Sequence, residues 1–228
     1  MFGKLLRIVG IVLLAVTAVI TFLSGIGTTC VALDPVKYDM AAIAPYQWLY
    51  ILYVIAGIII GVMGILATIS LIRNKPTAFR SAIISLTLGL LVGGLHMATS
   101  RALRGNSMPL DFIVYATAIT LVYFLLLRIF GVWNQTSATD ENDETSGLGA
   151  GVAMIVGGIV ILTVQIWAGP THVINGVNYA DVWHTQMMIV GGTLAVVGAS
   201  LLLAVVMDIA LPHPFRRTSA QPAESSNH

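Results

Sequence analysis

The sequence predicts an all-α integral membrane protein, a six-transmembrane-helix bundle with both termini in the cytoplasm (N-in/C-in). Three observations carry that prediction. Only 9% of the 228 residues are charged and 57% are hydrophobic, with a mean hydropathy of +0.91; soluble domains carry about 25% charged residues. Six apolar stretches reach the roughly 20 residues that cross a hydrocarbon core as a helix. The lysines and arginines then divide unevenly between the two sides of the membrane that those stretches define.

The spans follow from the runs in order. They are residues 5–32, 47–72 ("QWLYILYVIAGIIIGVMGILATISLI"), 79–100, 111–133, 147–168 and 184–211. Alternation with a period of two, the mark of a membrane-spanning strand, is absent, so each run reads as a helix. Lys4 and Arg7 ahead of the first run resemble a secretory leader. The run is longer than the usual leader core and lacks an A-x-A ending, so we expect an uncleaved first helix.

Orientation follows from basic residues. Threading six spans from a cytoplasmic amino terminus puts Lys4, Arg7, Arg73, Lys75, Arg80, Arg128, Arg216 and Arg217 inside, and Lys37, Arg101 and Arg104 outside. The opposite threading inverts that bias. Trp48, Trp133, Trp167 and Trp183 all fall near span ends, where amphipathic rings settle at headgroup level. The expected residence is the plasma (inner) membrane.

Four segments emerge: a four-helix transmembrane half (1–133), a flexible acidic cytoplasmic linker (134–146), a two-helix hairpin with a structured outer loop (147–212) and a disordered cytoplasmic tail (213–228). The linker "NQTSATDENDETS" has no residue able to bury apolar area, and we expect proteases to reach it.

Composition also excludes. A net charge of +1 gives no basic face for nucleic acid. The single cysteine, Cys30, rules out an internal disulfide and a cysteine-rich metal site. Walker, H-E-x-x-H and G-x-S-x-G motifs are absent, and no catalytic residue is assigned. The prolines lie in loops or at span ends, so broken helices are not indicated.

Against this apolar background the stretch "GGLHMATSRALRGNSMPLDF" (93–112) stands out. On the expected topology His96, Arg101, Arg104, Asp111, His172, Asp181 and His184 all lie at or beyond the outer ends of helices three to six. Gly89, Gly93 and His96 share one helical face, as do His184, Met188, Gly191, Ala195 and Gly198. Small residues let helices approach closely, so both histidines should face protein. Gly57, Gly61 and Gly64, and Gly147, Gly151, Met154 and Gly158, read as further packing faces.

Two neutral imidazoles on facing helices suit a haem b iron; the plainer reading is that each bonds a neighbouring helix or loop. His172, His184 and Asp181 are a weaker metal-ligand set. Arg101 and Arg104 suit an anionic or quinone ligand, or an ion pair with Asp111 or Asp181 that ties the outer loops together. We expect the stretch 96–111 to close a cavity between helices three, four and six.

Three functions fit these features, in descending order. The first is a membrane subunit of a larger complex, redox-linked through haem or quinone in one version, with a polar site on the outer face. Its partners would be the lipid bilayer and other membrane subunits or further copies of itself. The second is a transporter of small molecules or lipids, which asks for a polar patch halfway down a span; no single span shows one. The third is an enzyme using His172, His184 and Asp181 at the outer interface.

Overall fold

The structure, a computed structural model, describes residues 2–129, 142–167, 169, 173–174 and 176–210. Among them the chain is a helical bundle. The long helices are α1 (Phe2–Leu33), α2 (Gln47–Ile72), α3 (Ala78–Arg104), α4 (Leu110–Ile129), α5 (Asn142–Leu162) and α8 (His184–Ala210). Between α5 and α8 lie two short helices, α6 (Val164–Trp167) and α7 (Tyr179–Val182), and a two-stranded antiparallel hairpin pairing β1 (Val173–Ile174) with β2 (Val177–Asn178). A 3-10 turn, Ala41–Tyr46, precedes α2.

Among the described residues five helices, α1, α2, α3, α4 and α8, are long and apolar enough to cross a membrane. The protein is a multi-pass membrane protein whose exposed apolar helix faces meet lipid. The apolar part of α5, Gly147–Leu162, is shorter than those five. Its helix begins at Asn142, inside the segment expected as linker, and breaks at Thr163 before α6. The remainder of the expected linker, 134–141, and the whole tail, 213–228, lie outside the described residues.

Glycines set the closest approaches. A Cβ at Gly61 would lie 2.6 Å from Phe22 Cα, and one at Gly64 2.8 Å from Ala18 Cβ, so α1 and α2 touch almost backbone to backbone. Gly89 and Gly93 face Thr117 and Val114 of α4. Gly151 and Gly158 meet the carbonyls of Gly198 and Gly191. The glycine faces expected on α2 and α5 are therefore packing faces, as small residues allow without a hydrophobic drive between helices.

Helices α1 to α4 form an antiparallel ring in which α1 packs on α2 and α4, and α3 on α2 and α4. The pair α5–α8 joins this ring through α5, which packs on α1. The core at one end collects Ile11, Leu14, Leu71, Leu86 and Phe124. There Arg7 is 3% exposed and its guanidinium donates to Leu71 O at 3.0 Å. That contact sets a cation on the last carbonyls of α2, the negative end of its dipole.

Candidate functional site

Of the polar residues expected at the outer face, His96, Arg101, Arg104 and Asp111 lie at the other end of the ring, where α1 passes to α2 and α3 to α4, while Asp181 and His184 lie outside the ring. Part of this end is closely packed. Ile43, fully buried on the 3-10 turn, packs with Ala32, Tyr50 and Val54, with Met40 and Leu103 beside them. Gly105, at φ +70°, ends α3 in a left-handed cap that few other residues adopt, and its N–H returns to Arg101 O at 2.8 Å. The loop then brings Ser107 beneath Arg101.

A three-residue polar cluster results. The Arg101 guanidinium lies 3.1 Å from Asp111 Oδ2, and its Nε donates to Ser107 Oγ at 3.0 Å. Ser107 Oγ donates to Asp111 Oδ1. Asp111 is the better covered partner, at 16% exposure against 48% for Arg101. Arg101 also reaches the Tyr115 hydroxyl at 3.5 Å. The loop-tying ion pair is thus Arg101–Asp111. Arg104 instead directs Nη1 at the Met40 sulfur, 3.1 Å away, and Asp181 accepts from Gln165 Nε2 at 3.0 Å across the α6–α7 connection.

His96 sits one to two turns below this cap, among α2 aromatics. Its ring stacks on Tyr53 with centroids 4.5 Å apart and meets Tyr50 edge-on at 5.2 Å. The two phenols are held from α3: Tyr50 shares a hydrogen bond with Ser100 (3.0 Å) and Tyr53 with Thr99 (3.0 Å). The expectation that His96 faces protein is met. His184 is different. It is exposed on the first turn of α8, which packs on α5, and Met188 is exposed too. The reason is length: α5 ends at Leu162, which contacts Gly191, and His184 lies two turns beyond that contact.

The two imidazoles are therefore not brought to one site. His172 lies outside the described residues. Among the described residues no three His, Cys, Asp or Glu side chains gather as metal ligands. The recess beside His96 offers about 40 Å³ to water-sized molecules, far below the roughly 300–1,000 Å³ of cofactor and ligand pockets. The geometry lends the haem b reading no support.

That recess lies among α1, α2, α3 and α4. The last span contributes nothing to it, which corrects the expectation of a cavity between helices three, four and six. Its polar lining comes from Thr21, Ser24 and Thr28 of α1, with Tyr53 and His96. Deeper in the ring Thr17 and Thr120 share a buried hydrogen bond of 2.9 Å, and Ser85 and Thr117 are buried nearby. A mid-bundle polar patch thus exists, assembled from a stripe of α1 hydroxyls, Thr17, Thr21, Ser24 and Thr28, with Ser85 of α3 and Thr117 and Thr120 of α4. The α1 hydroxyls follow i, i+4, i+7 and i+11 spacing along one face, whereas Ser85 stands apart from them on α3.

Comparisons with family models, with curated proteins and with solved structures each find no match, so the functional reading rests on the chain's own residues.

Proposed function

We propose that the protein is an inner-membrane subunit of a larger membrane assembly, docking a partner's transmembrane helix along α8 and turning its capped end outward. One observation carries this reading. Helix α8 packs on α5 through Gly191 and Gly198, both buried. Away from that contact it carries two rows at seven-residue spacing, Thr185–Gly192–Ala199 on its flank, made of small residues, and Gln186–Thr193–Ser200 opposite the contact, made of polar ones, with the exposed apolar row Ile189–Val196–Leu203 between them. All but Gly192 are exposed, and a Cβ on Gly192 would meet nothing within 4 Å. Lipid tails gain nothing from hydroxyl and amide groups, whereas another helix packs closely on small residues and hydrogen-bonds to polar ones. The outward orientation, with both termini cytoplasmic, is supported by the distribution of basic residues.

The test is a photo-activated cross-linker placed at Thr193, with Leu91 as control. Leu91 is 64% exposed on a side of α3 lined by other apolar residues. The proposal expects a discrete protein adduct from position 193 and only lipid adducts from position 91. Equal yields from the two positions would defeat it.

A second reading, passage of a small polar solute, is favoured by the hydroxyls gathered between α1, α3 and α4.

A further inference from the structure

Two cavities lie end to end inside the α1–α4 ring. The larger, beside His96, offers about 40 Å³ and the smaller about 10 Å³. Thr21, Ile60 and Gly89 line both. Within a membrane such gaps are either dry packing defects or hydrated sites. Size admits water, since one molecule needs about 10–15 Å³ measured in this way. Chemistry decides the matter, because cavities that stay empty are apolar and those that hold water offer it partners.

These cavities offer partners. The hydroxyls of Thr21, Thr28 and Thr117 donate to the carbonyls of Thr17, Ser24 and Ile113 at 2.7, 2.8 and 2.7 Å. Their protons are spent, and each oxygen keeps lone pairs that can accept. Among the described residues neither the Ser24 hydroxyl nor the His96 ring nitrogens have a hydrogen-bond partner in the protein; His96 is held only by ring contacts. Both residues are half-buried and line the cavity, and polar groups that line an internal cavity are satisfied by water where protein does not serve. The deeper cavity is lined at its end by Leu14, Leu86 and Thr17, which bonds Thr120, and Leu14 and Leu86 belong to the core that holds the fully buried Phe124.

We propose that the two cavities form one hydrated, blind recess, in which a short file of water bonds His96 and Ser24 and continues past Gly89 to Ser85 and Thr117. The ligand class is a small uncharged hydrogen-bonding molecule, with water as its resident. The recess gives His96 an exchangeable solvent contact inside the bundle, as intramembrane ionisable residues on solute or proton paths have. This inference goes beyond the assembly role and does not depend on it.

Pulsed X-ray footprinting of the full chain in lipid nanodiscs tests it, because radicals formed from bound water oxidise the side chains beside it. After correction for intrinsic side-chain reactivity, His96 and Tyr53 should be oxidised several-fold faster than Phe124. A double Ser24→Ala, Thr28→Val variant removes both hydroxyls without adding bulk to the cavity, and it should reduce that excess several-fold. Gly89→Ala tests continuity. Its Cβ would sit at ordinary contact distances of 3.4 and 3.5 Å from Thr117 and Ile60, so the fold persists while the neck closes. Oxidation of Leu86, which lines the deeper cavity, should then fall while that of His96 holds. Corrected rates for His96 and Tyr53 no higher than for Phe124 in the unmodified protein would overturn the hydrated recess. Unchanged Leu86 labelling in Gly89→Ala would overturn its continuity.

Discussion

Arg101 and Asp111 meet at 3.1 Å across the turn from α3 to α4, with Ser107 hydrogen-bonded to both. The pair fixes the register of two helices that otherwise touch through apolar and glycine contacts. About half of the Arg101 side chain is exposed, so most of the Coulomb attraction is screened. The firmer hold comes from the polar atoms of Asp111, which would be left with less water to replace what they lose.

Removing that carboxylate therefore matters more than removing a neighbouring charge. Asp111→Ala should lower the thermal midpoint by a few degrees. Lys37→Ala should leave it unchanged, because Lys37 is exposed and its ammonium only lies over the Tyr38 ring at 5.7 Å. Arg104→Ala should fall between the two, losing its contact with Met40. Thermal melts in one detergent check the order; equal midpoints for Asp111→Ala and Lys37→Ala would show that the cluster ties nothing together.

Glycine positions separate sharply by contact. Gly61→Ala forces a Cβ to within 2.6 Å of the Phe22 backbone, and overpacking of this kind costs about 1–3 kcal/mol or more. Gly94→Ala meets nothing within 4 Å and should be neutral. Unfolding of the two variants in a denaturing detergent series measures the difference.

The Thr17–Thr120 bond invites a double-mutant cycle. Thr17→Val strands the Thr120 hydroxyl in a buried site, and Thr120→Val does the converse. The double substitution strands neither. Coupling of about 0.6 kcal/mol, and at most about 1.7 kcal/mol, is expected, the mean and the maximum for hydrogen bonds between membrane helices. Additive losses would mean that the two hydroxyls do not act as a pair.

Orientation is checked by fusion. A reporter joined after residue 140 should be active only in its cytoplasmic form, and one joined after Asn106 only in its exported form. The reverse pattern would put the Arg101–Asp111 cluster on the cytoplasmic face.

The helices were legible because their apolar runs are long and bounded by loops rich in polar residues and proline. Span 47–72 coincides with α2 to the residue. The glycine faces were legible too, since i, i+4 and i+7 spacing survives folding: Gly61 lies on Phe22 and Gly151 on Gly198. The same rule misled at His184, where the helical face continues but the neighbouring helix has ended. Only the α1 side of the recess, where Thr17, Thr21, Ser24 and Thr28 keep i, i+4, i+7 and i+11 spacing, carries a pattern in the sequence. Thr17, Ser85 and Thr120 stand on three helices, and only packing makes them neighbours. Likewise the α8 rows become informative only once Gly191 and Gly198 show which side is covered.

The assembly role is tested most directly by the mass of the particle drawn from native membranes without exchange into harsh detergent. The account predicts a particle heavier than one 24.2 kDa chain with its bound lipid. It also predicts collapse to the single chain in a Gln186→Leu, Thr193→Leu, Ser200→Leu variant that retains the unmodified protein's helicity. A single-chain mass for the unmodified protein, or a heavier particle that survives the triple substitution, would contradict it.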